Sequence, residues 1–129
     1  MVKLDDRVSI RPIKSDDIKE FYGTSALRRT CRGWSVYLDG ELAGICGITI
    51  GRSIVVAFSE IKPGLPVSRR IIWNTAVLLM DMITDLGFSI IYAIADPRHD
   101  SAPSFLRHLG FEHIESSVRG EVFRWQAIH

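Results

Sequence analysis

Apolar positions along the chain follow two spacings, and the change from one to the other marks its central unit. From Ser53 to Ile61 the sequence is a nearly continuous apolar run, which predicts a strand. After Lys62-Pro63-Gly64-Leu65-Pro66 the spacing becomes helical. Ile72, Ala76, Leu79, Ile83 and Leu86 share one face, and Arg70, Asn74, Asp81 and Asp85 mark the other. Trp73 and Val77 widen the apolar face. Pro66 prevents an earlier start and Ser68 is a suitable N-cap, so a helix is predicted from Ser68 to Leu86, ended by Gly87. A second apolar run, Phe88 to Ala95, follows at once. Asp96-Pro97, a short helical segment closing at Leu109-Gly110 and a strand-like run from Phe111 complete a βαβ unit with a tail. Such a crossover is right-handed and makes its two strands parallel. The runs Ile54 to Phe58 and Ile90 to Ile94 predict central strands covered on both faces.

The segments before this unit alternate instead. Val8 to Pro12 reads as a first strand, stopped by its proline. Ser15-Asp16-Asp17 caps a helix through Tyr22, with Ile18, Phe21 and Tyr22 on one face and Gly23 at its end. Residues 24–30 fit either a short second helix or a loop. Gly33–Leu38 and Glu41–Ile50 form a hairpin about Asp39-Gly40, and Gly44 and Gly47 predict a bulge or a close backbone approach. Gly51-Arg52 makes the next turn, and Arg119–Gln126 is the last strand. The pattern predicts one domain, residues 1–129, of α/β class with a mixed α+β sheet.

Composition adds limits. The 129 residues are 47% hydrophobic and 24% charged, with a net charge of +1. Such a chain folds to a globule and has no charge bias toward nucleic acid or an anionic membrane. No apolar run reaches the length of a membrane-spanning helix, and Met1–Arg7 lacks an apolar signal region, so a cytoplasmic protein is expected. Cys31 and Cys46 lie in strand patterns and are expected to be reduced. Their spacing from His99, His108, His113 and His129 matches no metal-ligand set, so no metal is expected. Hydrolase-elbow, Walker and dinucleotide glycine motifs are absent.

Two candidate groups of residues remain. Arg69 and Arg70 follow the N-cap Ser68, and a helix start with free amides and two guanidiniums suits an anion; the alternative is two solvated arginines. Glu60, at the end of the preceding strand, would be a general base if burial raised its pKa; the alternative is a solvated glutamate or a pair with Lys62. Asp96 and His99 follow the next strand on the same edge, where open α/β sheets collect ligands. Arg28, Arg29 and Arg32 form a basic cluster that fits a solvated face or a ligand contact.

With these residues identified, nearly the whole chain resembles the GNAT superfamily of acyl-CoA-dependent N-acetyltransferases. Ile10-Arg-Pro-Ile-Lys-Ser-Asp-Asp17 looks like the family's first strand and helix start. Glu60-Ile-Lys-Pro63 is similar to its fourth strand, and Asp100-Ser-Ala-Pro-Ser-Phe-Leu-Arg-His-Leu-Gly-Phe111 to its signature before the sixth. The resemblance implies an acyl-CoA N-acyltransferase fold of order β-α-(α)-β-β-β-α-β-α-β-β. It also implies acetyl-CoA as co-substrate, a small-molecule or protein amine as acceptor, and a monomer or homodimer. Glu60 matches the general base of part of the family. Ile61, Ser68, Arg69, Arg70, Ile71, Ile72, His99 and Phe105 fall at cofactor-binding positions. Three positions depart from the pattern. Val67-Ser-Arg-Arg-Ile-Ile72 has no glycine where the family cradles pyrophosphate, His99 or Asp100 replaces an Asn, and Leu106 stands where a Tyr often protonates the thiolate. Small GNAT-like proteins of tailed bacteriophages are similar in length and in the glycine-free helix start. They make a non-catalytic virion, assembly or host-interaction role the alternative.

Overall fold

The computed structural model describes residues 2–23 and 30–127, with the side chain of Tyr22 excepted. The expected short second helix, the guanidiniums of Arg28 and Arg29, the Tyr22 side chain and His129 lie outside the described residues. The elements are β1 (Val2–Lys3), β2 (Val8–Pro12), α1 (Ser15–Tyr22), β3 (Thr30–Leu38), β4 (Glu41–Ile50) and β5 (Val55–Ile61). They continue with α2 (Arg69–Leu86), β6 (Ile90–Ala95), α3 (Ala102–His108), β7 (Glu112–Ser117) and β8 (Gly120–Gln126). One mixed sheet takes all eight strands in the order β1-β2-β3-β4-β5-β6-β8-β7. Pairing is antiparallel from β1 to β5, parallel between β5 and β6, and antiparallel again through β8 and β7. The expected class, the parallel pairing across the crossover and the order of the described elements hold. β1 is an addition: it is a two-residue strand whose return is closed by the Leu4 amide on the Val8 carbonyl, 2.8 Å.

Turn chemistry sets the local geometry. Asp39 and Gly40 both have positive φ, 51° and 84°, as the tight turn between β3 and β4 requires. A register shift opposite Val36 and Tyr37, which pair with Gly44 and Leu42, leaves Ala43 as the extra residue of a bulge. Gly33 and Gly47 face each other across the same pair. A Cβ on Gly33 would stand 2.1 Å from the Cys46 carbonyl oxygen, so the two backbones approach more closely than any side chain allows. Cys31 and Cys46 are both free thiols, and burial pushes the Cys46 thiol up to about 12.

The two sheet faces are covered differently. α2 and α3 pack on one face, where Leu79 and Ile83 meet Cys46, Ile48, Ile91, Ala93 and Phe123, with Leu106 alongside. Ile71 joins a second cluster with Val8, Ile10, Val36 and Leu38. α1 lies on the opposite face, where its Asp17 carboxylate accepts from Ser35 Oγ (2.8 Å), the Tyr37 hydroxyl (2.7 Å), Arg11 (2.6 Å) and the Lys14 amide (3.0 Å). Lys14, not Ser15, is therefore the helix cap, and Asp17 serves both the cap and the buried network. Its carboxyl, which burial alone would raise, is held at about 2 by these donors.

Two expectations need correction. β6 is not covered on both faces: Ile91, Ala93 and Ala95 are buried, whereas Ile90 and Ile94 are each 41% exposed. β5 is half-buried, with Ser59 and Glu60 exposed. The reason is that α2 and α3 share a face, so neither helix screens the other one. The buried stripe of α2 is Ile71, Thr75, Ala76, Leu79 and Ile83, while Leu86 is exposed. Thr75 takes a core position because its hydroxyl donates to the Ile71 carbonyl, 2.8 Å, so that no donor is stranded.

Candidate active site

β5 and β6 are paired at Val56–Tyr92 and Ala57–Ala93 and then separate. Each keeps its outer neighbour: β5 stays paired with β4 as far as Gly44–Ile61, and β6 with β8 as far as Ala95–Glu121. The sheet is therefore wedged open at the C-terminal ends of its two central strands. From Phe58 to Ile61, the backbone groups that would have continued the ladder to β6 are left for another partner.

The start of α2 stands beside this wedge. Val67, Ile71, Ile72 and Thr75 close a narrow crevice with Ser59, Glu60 and Ile61. Ser68 caps the helix: its Oγ accepts from the Ile71 amide at 3.2 Å and its carbonyl from the Ile72 amide at 3.1 Å. The amides of Arg69 and Arg70 are the ones that helix geometry leaves unsatisfied. Both side chains are exposed, and no acid stands in this first turn to neutralise them. Two guanidiniums and two free amides at a positive helix end suit a doubly charged anion such as pyrophosphate.

Glu60 is exposed. The burial that the general-base expectation invoked is absent. Lys62 does not pair with it: its ammonium lies 5.9 Å from the Phe21 ring centroid. Instead Glu60 acts electrostatically on Arg98, whose guanidinium is held protonated first by its hydrogen bonds to Asp96 and further by the Glu60 charge. Asp96, bonded by the Arg98 side chain and amide, is lowered to about 2. Arg98 is the residue that sequence reasoning missed; its only signal was its place after Asp96-Pro97 at the strand end.

The crevice brings together Glu60, Ile61, Ile71 and Ile72, and Ser68, Arg69 and Arg70 flank it between Val67 and Ile71. His99 and Phe105 belong to the other side of the wedge. His99 is exposed and shapes the turn into α3, its amide on the Asp96 carbonyl (3.0 Å) and its own carbonyl taking the Ala102 amide (3.1 Å). Phe105 meets Trp73 of α2 edge-on, 5.7 Å between centroids, and so ties α3 to α2. Leu106 is half-buried against the core and carries no titratable group.

Comparison with solved structures supports the architecture. yncA of Salmonella typhimurium, solved with its cofactor acetyl-CoA, matches with a TM-score of 0.71 at 15% identity over 94% of each chain. A Chromobacterium violaceum protein, described as a probable GNAT-family acetyltransferase, matches with a TM-score of 0.67 at 15% identity, over 95% of this chain and 88% of that one. PaiA N-acetyltransferase from Thermoplasma acidophilum, in complex with coenzyme A, matches with a TM-score of 0.60 at 13% identity. There the alignment covers 73% of this chain and only 59% of that protein's length. No protein-family model and no curated protein matches the sequence. The fold is that of the GNAT acetyltransferases.

Proposed function

We propose that the chain is an N-acetyltransferase that moves acetyl from acetyl-CoA to an amine. The observation that carries this reading is the wedge between β5 and β6 beside the start of α2. An extended pantetheine has amides to pair with the free backbone of Phe58–Ile61, and the crevice formed with Ile61, Ile71 and Ile72 accepts its apolar parts. Arg69 and Arg70, with their amides, would hold the pyrophosphate, Ser68 would fix the helix start, and His99 and Phe105 would border the cofactor from the α3 side. Neighbours solved with coenzyme A or acetyl-CoA support the same choice.

The amine lone pair attacks the thioester carbonyl carbon, the C–S bond breaks, and the products are an acetamide and the CoA thiol. Glu60 takes the proton that nitrogen loses, directly or through a water, and its exposure keeps it in exchange with solvent. The leaving thiolate takes its proton from water, since Leu106 has none to give.

A second reading is a degenerate, phage-encoded GNAT-fold protein with a virion, assembly or host-interaction role. The glycine-free start of α2 favours it, because side chains on residues 67–72 hold an anion away from the amides. Release of CoA thiol from acetyl-CoA in the presence of mixed primary amines separates the two. Amine-dependent release supports the transferase, and none at saturating acetyl-CoA supports the second reading. We place the protein in the cytoplasm, that of a bacterial host if it is phage-encoded; no helix among the described residues is long and apolar enough to cross a membrane.

A further inference from the structure

The face of the sheet opposite α2 and α3 carries an apolar strip beside Glu60. Alternation along β5 puts Phe58 and Glu60 on this face, with Tyr92 and Ile94 of β6 following the Val56–Tyr92 pairing. Ile94 is paired in turn with Val122 of β8. Ile94 is 41% exposed, and the residues α2 and α3 pack against are on the other side. Phe58 and Ile94 are the first residues beyond the last bridged pair, so the strip begins at the lip of the wedge.

We propose that the acceptor is a monoamine with an apolar body, its nitrogen at Glu60 and its hydrocarbon or aromatic part on Phe58, Ile94 and Val122. This rests on the acetyltransferase reading and adds the substrate class. A thioester held in the crevice on the α2 side is reachable through the wedge from the opposite face, and the strip lies there. Charge fixes the rest. No salt bridge among the described residues engages Glu60, whereas Asp96 is taken up by Arg98 at 2.6 Å. Among the described residues the site therefore offers one carboxylate outside any ion pair, which suits one ammonium. Arg98, with its side chain 81% exposed and in the field of Glu60, repels a second cation. Polyamines and polycationic acceptors are thereby disfavoured, and exposed apolar surface rewards a hydrocarbon body.

The test uses the full chain, acetyl-CoA and CoA-thiol release with phenethylamine, hexylamine and spermidine. The first two are expected to exceed spermidine in kcat/KM by about tenfold or more. Ile94→Ser, at an exposed position that leaves the core intact, should raise KM for phenethylamine about tenfold and leave acetyl-CoA affinity by calorimetry unchanged. Preference for spermidine, or an unchanged KM in Ile94→Ser, overturns the proposal. Acetyl-CoA binding without turnover of any of these amines overturns it while leaving the cofactor site standing. Absence of acetyl-CoA binding removes both together. Sedimentation of the wild type as a dimer that Ile94→Ser splits would assign the strip to a second copy of the chain, again overturning it.

Discussion

The Ser68 hydroxyl accepts the Ile71 amide at 3.2 Å, and this bond decides how the start of α2 can meet an anion. In a glycine-lined turn the first three amides of the helix would be open to a phosphate. Here the cap uses the third, the Ser68 carbonyl takes the fourth, and Cβ atoms crowd the approach to the rest. What remains are the amides of Arg69 and Arg70 and two long, exposed guanidiniums. Pyrophosphate affinity at this site must come mainly from charge-assisted contacts.

Replacing both arginines by Ala should therefore weaken CoA by about a hundredfold, from two contacts of about 1.5 kcal/mol each. Calorimetry on wild type and double mutant at low and high salt checks it, and wild-type affinity should fall as salt rises. The double mutant should melt no lower than the wild type, since like charge in a first turn opposes the helix dipole.

Asp17 should matter for stability and not for cofactor binding. It is buried and accepts four hydrogen bonds, one of them from the half-buried Arg11 guanidinium, so Asp17→Ala leaves buried donors without their acceptor and should cost about 1–3 kcal/mol by urea unfolding. The folded carboxyl titrates at about 2, below its unfolded value near 4. Its contribution is therefore fully present above about pH 4 and is lost as pH falls toward 2. The wild type should lose stability across that window, and Asp17→Asn should lose less there, having less to lose.

Glu60→Gln should lower kcat by about 10²–10⁴-fold with little change in acetyl-CoA affinity, the signature of a lost proton acceptor. Single-turnover kinetics with saturating amine reads it directly. Unchanged turnover would leave the proton to water and make Glu60 an electrostatic guide for the amine.

The two spacings of apolar residues carried most of the architecture: Ser68 as cap, Gly87 as stop, the Asp39-Gly40 turn and the parallel β5–β6 pair all follow from local chemistry. The faces did not. An unbroken run such as Ile90–Ile94 does not say which side a helix will cover, and here α2 and α3 chose the same one. The polar core members Thr75 and Asp17 were hidden for a related reason: their partners, the Ile71 carbonyl and a tyrosine, a serine and an arginine on β2 and β3, are visible only once the chain is folded. At the candidate site, Glu60, Ile61, Ile71 and Ile72 line one crevice. The exposure of Glu60 and its coupling to Arg98 depend on the splay of two strands, which no local pattern records.

The most direct test is calorimetric titration of the wild-type chain with acetyl-CoA. A wedge beside a doubly cationic helix start requires saturable binding at one site per chain, weakened by added salt and by removal of Arg69 and Arg70. No heat at millimolar acetyl-CoA and low salt, or binding indifferent to both arginines, would contradict it.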